Sequence, residues 1–163
     1  MVYFREVQRF RQPWLWAILL LPIAPFAYRI YRQLVLGRPW GNKPISDGML
    51  LGVSAFVLLL MVWIYLGELR TEVRDDELVV HFFLLWKRKR IPIQEVRSCR
   101  AVTYSPIRDY GGWGIRRGVW GRAYNVSGNR GVELELTNGE SLLVGSQRPE
   151  ELASAIENRR AIG

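Results

Sequence analysis

The sequence predicts a membrane α-hairpin of two transmembrane helices, followed by an α+β domain. In that domain a bent antiparallel β-sheet or partly open barrel is joined by one C-terminal helix. Three observations predict it: two long apolar runs near the N-terminus, alternating apolar and polar residues after Leu69, and an amphipathic C-terminal segment. The expected division is residues 1–68 for the N-terminal segment and hairpin, and residues 69–163 for the soluble domain.

The second apolar run, residues 48–67, is the stronger membrane signal because it contains 20 residues without a charge. A helix of that length is about 30 Å long, which matches the hydrocarbon core of a bilayer. Ser46 or Asp47 is the expected N-cap and Gly67 the expected terminator. The predicted span is therefore 47–67.

The first apolar run, residues 14–28, follows basic residues as a signal sequence does. It lacks a small-x-small cleavage site, contains Pro22 and Pro25, and continues to Leu36, so we predict a kinked span over 14–36. A re-entrant or interfacial placement is the alternative. Residues 37–44 are rich in helix breakers and predict a short turn, which makes the two spans antiparallel neighbours.

Charge and cysteine content bear on the partners and the compartment. The net charge of +8 fits a protein beside a bilayer, where basic residues orient the chain and attract anionic lipid headgroups; we therefore expect no nucleic acid. A single cysteine, Cys99, excludes an intrachain disulfide, and with one histidine no zinc site of Cys and His is expected, nor any cofactor. The missing disulfides and the basic domain favour a multi-pass protein of the cell membrane with both termini in the cytoplasm.

Period-two alternation predicts the strands of the soluble domain, which we expect in meander order. Turns are expected at Asp75-Asp76 and at Asn138-Gly139, the second being a strong hairpin signal. A helix is expected from about Pro149 to the end, with Ser146 near its start. The predicted strands are 70–73, 77–83, 89–93, 96–104, 131–136 and 141–144.

Two blocks of sequence carry a resemblance to a known family. Residues 90–96 (Arg-Ile-Pro-Ile-Gln-Glu-Val) and residues 145–152 (Gly-Ser-Gln-Arg-Pro-Glu-Glu-Leu) look like parts of the bacterial pleckstrin-homology-like (PH-like) domain. With its two spans, the whole chain resembles uncharacterised bacterial membrane proteins that carry such a domain. The resemblance implies a PH-like fold and assigns no catalytic residues.

A basic run is the first candidate binding site. Four consecutive positive charges beside a turn suit phosphate headgroups at an anionic surface. The alternative is a solvated basic strand, because alternation sends two of the four side chains to each face and disperses the patch. The run consists of Lys87, Arg88, Lys89 and Arg90.

A segment dense in glycine, tryptophan and arginine, residues 110–125, is the second candidate. Its large side chains have the chemistry of an interfacial belt or a headgroup-binding rim: Trp113, Arg116, Arg117, Trp120 and Arg122. The glycine spacing is not a dinucleotide-binding fingerprint, since the third glycine falls one residue late. The alternative is that the glycines serve tight turns and a bulged strand.

The sequence thus favours a non-enzymatic, membrane-anchored binding or scaffold module that contacts lipid headgroups, a protein partner or itself as a homo-oligomer. An accessory subunit of a larger membrane transport or secretion complex is the alternative. An enzyme is less favoured. Asp109 near Tyr110, or Glu133 with Glu135, could be proposed as acid and base, but the two glutamates share one strand face and are expected on its solvated side. His81 lies in an apolar strand and is expected to be a core residue.

Overall fold

The computed structural model describes residues 1–38, 45–83, 87–118 and 120–162. The chain divides into two compact units. The β unit comprises Met1–Phe10 and Gly67–Gly163, and the helical unit comprises Arg11–Leu66. In chain order, the helical unit is an insertion between the first two strands of the β unit.

The helical unit contains two stretches, of 23 and 20 residues, that are each long and apolar enough to cross a membrane. The first joins two α-helices and a π-helical segment, and the second is one α-helix: α1 (Pro13–Leu20), α2 (Ile23–Ile30), the π-helical segment (Tyr31–Val35) and α3 (Asp47–Leu66). The predicted kink is present, since α1 ends before Pro22, which is the N-cap of α2.

Side chains join the two apolar stretches at both ends. At one end Gln33 Nε2 donates to the Asp47 carboxylate and to the Ile45 carbonyl, each at 2.6 Å. At the other end the ring of Trp16 meets that of Tyr65 edge-on, with their centroids 5.9 Å apart. The stretches are therefore antiparallel neighbours, as predicted. Most of the predicted turn at 37–44 lies outside the described residues, namely positions 39–44.

The β unit contains two sheets. The strands are β1 (Val2–Arg9), β2 (Glu68–Arg74), β3 (Glu77–Phe82), β4 (Lys87–Pro92), β5 (Val96–Thr103), β6 (Gly114–Gly118), β7 (Gly121–Asn125), β8 (Arg130–Leu136) and β9 (Ser141–Gly145). The first sheet has the order β1-β2-β3-β4 and the second β5-β8-β9-β7-β6. Helix α4 (Pro106–Tyr110) follows β5, and α5 (Pro149–Ile162) follows β9.

The structure agrees with the predicted opening and closing hairpins and with the C-terminal helix. It differs at the N-terminus and in the second sheet. No strand was predicted before the first span, yet β1 pairs with β2 from Val2↔Arg74 to Arg9↔Glu68, so residues 1–10 belong with the β unit. The meander order is wrong for the second sheet, where β7 lies parallel to β9.

The core of the β unit lies between the two sheets and α5. Helix α5 packs on β1 and β2 of the first sheet and on β5 and β8 of the second. Its Leu152 and Ile156 side chains are fully buried, together with Phe82 of the first sheet and Leu134 of the second. Burial of each such side chain stabilises the unit by about 1.5–3 kcal/mol, so the helix holds both sheets on one core.

Strand β1 is joined to the connection between β9 and α5 by buried polar contacts. The Glu6 carboxylate accepts hydrogen bonds from Ser146 Oγ (2.5 Å) and from the Gln147 N–H (2.8 Å). The Gln8 side-chain amide donates to the Gly145 carbonyl at 2.7 Å. Buried polar groups need such partners, and the N-terminal strand is therefore an integral part of the unit.

Candidate functional site

A cavity of about 380 Å³ lies where β4, the β6–β7 hairpin and the β8–β9 turn meet. We call it the cationic cavity. Its volume falls within the range of about 300–1,000 Å³ that is typical of small-molecule sites. The lining residues are Lys89, Arg117, Trp120, Gly121, Arg122, Gly139, Glu140, Ser141 and Leu142. Parts of both predicted binding segments therefore meet at one place.

Strand alternation determines which cation of the basic run lines the cavity. Lys89 is paired with Val80 of β3 and shares a face with the buried Ile91. Arg88 and Arg90 lie on the opposite face, and Arg90 Nε is 4.0 Å from a Glu77 carboxylate oxygen. The side chain of Lys87 lies outside the described part of the structure. The run is thus split between two faces, and among its described side chains Lys89 alone lines the cavity.

The hairpin reaches the cavity because β7 runs parallel to β9, with Arg122 paired to Leu142. Gly121 permits this approach. Its φ is +102°, and a Cβ at this position would lie 2.1 Å from the carbonyl oxygen of Ser141. The pairing brings Arg117, Trp120 and Arg122 beside the β8–β9 turn.

Other residues of the Gly/Trp/Arg segment support the hairpin and do not line the cavity. Trp113 Nε1 donates to the Gly128 carbonyl at 3.0 Å, and Arg116 Nε donates to the Trp113 carbonyl at 3.2 Å. The predicted rim is therefore divided, with two of its five residues fixing the start of the hairpin. Gly118 and Gly121 permit close approaches of backbone, since a Cβ there would lie 2.1 Å from the carbonyl oxygens of Asp109 and Ser141.

A buried amide holds the base of the hairpin. The Asn125 side chain is fully buried; its Oδ1 accepts from the Gly114 N–H (2.9 Å), and its Nδ2 donates to the Tyr104 hydroxyl (3.0 Å). Burial raises the pKa of Tyr104 to about 12, although the Asn125 hydrogen bond acts in the opposite direction. Tyr104 is therefore neutral at physiological pH and remains a donor as well as an acceptor.

Replacing Asn125 with leucine is expected to destabilise the β unit by about 1–3 kcal/mol, because the Gly114 N–H loses its acceptor in a partly buried setting. Urea unfolding of the full chain measures the change. Tyr104→Phe also removes the Tyr104–Asn125 hydrogen bond. In a protein that already carries Asn125→Leu, it should lower the free energy of unfolding by almost nothing further. Additive losses in the double variant would contradict the assigned bond.

Most arginine side chains of the β unit lie within 4.0 Å of a carboxylate. In the described part of that unit, the lysine and arginine side chains without such a partner are Arg88, Lys89, Arg116, Arg117, Arg122 and Arg160. Five of these six belong to β4 and the β6–β7 hairpin. Uncompensated positive charge is thus concentrated on β4 and the β6–β7 hairpin, and three of its members line the cationic cavity, where they attract anions: Lys89, Arg117 and Arg122.

The remaining charges of the cavity are Arg122 and Glu140. A hydrogen bond with Tyr124 and the charge attraction of Tyr124 raise the pKa of Arg122, with a smaller contribution from Glu140. In the described structure no lysine or arginine nitrogen is within 4.0 Å of the Glu140 carboxylate. Glu140 was not predicted as a site residue, because its only signal in the sequence is the Asn138-Gly139 turn beside it.

The groups considered for catalysis have structural partners. Glu133 pairs with Arg100 at 2.7 Å and Glu135 with Arg97 at 3.5 Å, while the Asp109 carboxylate accepts from the Ser105 N–H at 2.7 Å. His81 is half-buried; burial lowers its pKa, and Arg88 and Arg70 lower it further. None of these groups lines the cationic cavity.

Fold and site together define a protein of two parts: an apolar helical pair, and a two-sheet β unit that carries a cationic cavity. The chain belongs to the family described as Family of unknown function (DUF6141), whose model matches residues 1–162. Comparison with curated proteins found no match.

Proposed function

We propose that the protein is a non-enzymatic, membrane-anchored binding module of the cell membrane, whose β unit presents the cationic cavity to an anionic partner at the membrane surface. The observation that carries the proposal is the insertion of two apolar stretches between β1 and β2, strands that pair with each other. We further propose that this β unit is PH-like, a proposal supported by its two sheets and by the C-terminal helix that packs on both.

The strand pairing limits how the chain crosses a membrane. Arg9 and Glu68 are paired, so both must lie on the same side of the bilayer. Three residues separate β1 from α1, and one separates α3 from β2. Three extended residues span at most about 11 Å, far less than a hydrocarbon core of about 30 Å. The segment between the strands therefore crosses an even number of times, so if α3 crosses, the first stretch crosses as well.

Engineered cysteines test this topology. The native Cys99 is a poor reporter because burial raises the pKa of its thiol to about 11, and the thiolate is the reactive form. In a Cys99→Ser background we propose single cysteines at Tyr3, Asn42 and Arg88, labelled with a membrane-impermeant maleimide before and after permeabilisation. Tyr3→Cys and Arg88→Cys should react only after permeabilisation, whereas Asn42→Cys should react in intact cells.

Each labelling pattern has one meaning. If Asn42→Cys and Arg88→Cys are labelled from opposite sides of the membrane, both apolar stretches cross the bilayer. If all three cysteines are labelled from the same side, the two full crossings are refuted, and the helical hairpin must be re-entrant or bound at the membrane surface. Opposite sides for Tyr3→Cys and Arg88→Cys would contradict the β1–β2 pairing itself, since paired strands cannot be separated by a bilayer.

A further inference from the structure

We propose that the cationic cavity binds a phosphodiester that also carries a hydroxyl or ammonium group, as a glycerophospholipid headgroup does. The inference rests on the proposed function in one respect: a membrane anchor keeps the β unit near such headgroups. The chemistry of the cavity is a separate matter, and it selects for two features of the ligand, a phosphate and a hydrogen-bond donor.

The phosphate is suggested by the three cations of the cavity. Arg117, Arg122 and Lys89 come from two different sheets and meet at one cavity, without carboxylate partners in the described structure. Arginine presents a planar fork of donors that matches phosphate oxygens, and lysine adds a compact charge. With Glu140 included, the lining carries a net charge of about +2, which favours an anionic ligand such as a phosphate.

The donor is suggested by Glu140. Glu140 lines the same cavity, and its carboxylate has no lysine or arginine nitrogen within 4.0 Å in the described residues. An ionised carboxylate accepts hydrogen bonds only, so it repels a ligand that is anionic throughout. A hydroxyl or ammonium group joined to the phosphate would satisfy both kinds of lining residue at once.

Trp120 indicates where the ligand comes from. Its side chain is 61% exposed at the edge of the cavity, between Arg117 and Arg122 in the hairpin. Tryptophan is enriched at the membrane–water interface, where one part of the ring is apolar and the indole N–H stays hydrated. A lipid headgroup is therefore the expected source, and a soluble phosphodiester is the other source that offers the same chemistry.

The test uses the full chain in a neutral detergent and three probes. Glycerophosphoglycerol carries a phosphodiester and hydroxyls, dimethyl phosphate carries the diester alone, and phosphatidylglycerol is the corresponding lipid. Isothermal titration measures the two soluble probes, and native mass spectrometry measures lipid retention. We expect the Arg117→Gln/Arg122→Gln variant to lose at least about tenfold in affinity, because charge-assisted hydrogen bonds are the strong ones.

A matched control separates the cavity from overall charge. Arg97→Gln/Arg100→Gln removes the same two charges from arginines that pair with Glu135 and Glu133 outside the cavity, and it should leave binding unchanged. The proposal would be overturned if both double variants lost the same affinity for the probes. It would also be overturned if Arg117→Gln/Arg122→Gln bound the probes as tightly as the unchanged protein. The melting temperature of each variant is measured alongside, so that a loss through unfolding is recognised.

A second variant tests whether Glu140 accepts a hydrogen bond from the hydroxyl or ammonium group of the ligand. Glu140→Gln should reduce the preference for glycerophosphoglycerol over dimethyl phosphate while retaining binding of both, and an unchanged preference would refute the role of Glu140. Binding of both soluble and lipid probes at the cavity supports the chemistry, and lipid binding alone assigns the headgroup as the source. If none of the three probes binds, the inference is overturned. The membrane anchor is tested independently by the cysteine labelling.

Discussion

Replacing Gly121 with alanine is expected to destabilise the β unit by about 3 kcal/mol or more, from two costs that add. A side chain at its φ of +102° is strained, which costs about 1–3 kcal/mol. The new Cβ would also lie 2.1 Å from the Ser141 carbonyl oxygen. That oxygen is backbone and cannot move without disturbing the β7–β9 pairing, and overpacking of this kind costs about 1–3 kcal/mol.

Gly139→Ala is the matched control for this prediction. Gly139 also has a positive φ, +84°, but a Cβ there meets no atom within 4 Å. Its cost is backbone strain alone, about 1–2 kcal/mol. Urea unfolding of the full chain compares the two variants, and the difference measures the close approach of β7 to β9. Equal losses would show that this approach is not as close as the structure has it.

The sequence predicted the elements whose signals are local. The closing hairpin follows from Asn138-Gly139, because that pair adopts the positive φ values of a tight turn. The opening hairpin follows from period-two alternation on both sides of Asp75-Asp76. The apolar stretches follow from their length, their high hydropathy and their few charged residues. Each of these signals lies within about 20 residues of sequence, and periodicity and turn residues can be recognised over that length.

Strand β1 escaped prediction because its buried face is polar. Phe4, Glu6 and Gln8 point inward, while Val7 on the other face is exposed. Apolar residues therefore do not mark the buried side, and period-two analysis has nothing to detect. The partners of the Glu6 carboxylate and of Gln8 Nε2 lie more than 130 positions later in the chain.

The cavity itself was not predicted, for a related reason. Both contributing segments were identified from their charge, but their meeting depends on the parallel pairing of β7 with β9, for which the sequence contains no local signal. The same pairing brings Glu140 to the cavity. Gly121 was the one available indication, because a glycine inside a strand often marks a close approach of backbone.

Removal of β1 is expected to unfold the β unit, so the predicted soluble domain, residues 69–163, should not fold on its own. Loss of the buried Phe4 side chain costs about 3–5 kcal/mol. Loss of Glu6 and Gln8 leaves the Gln147 N–H and the Gly145 carbonyl without their partners, at about 1–3 kcal/mol each. The sum of about 5 kcal/mol or more approaches the whole stability of a small domain, about 5–15 kcal/mol.

A fused chain tests the same point from the opposite direction. Because Arg9 pairs with Glu68, an Asn-Gly turn placed between Phe10 and Gly67 can replace the helical unit with a two-residue hairpin loop. The fused chain should be soluble and unfold cooperatively by circular dichroism, whereas residues 69–163 alone should show no cooperative transition. Cooperative unfolding of 69–163 would mean that β1 is dispensable. If the fused chain failed to fold while the full chain folded, the β unit would need the helical unit in order to fold.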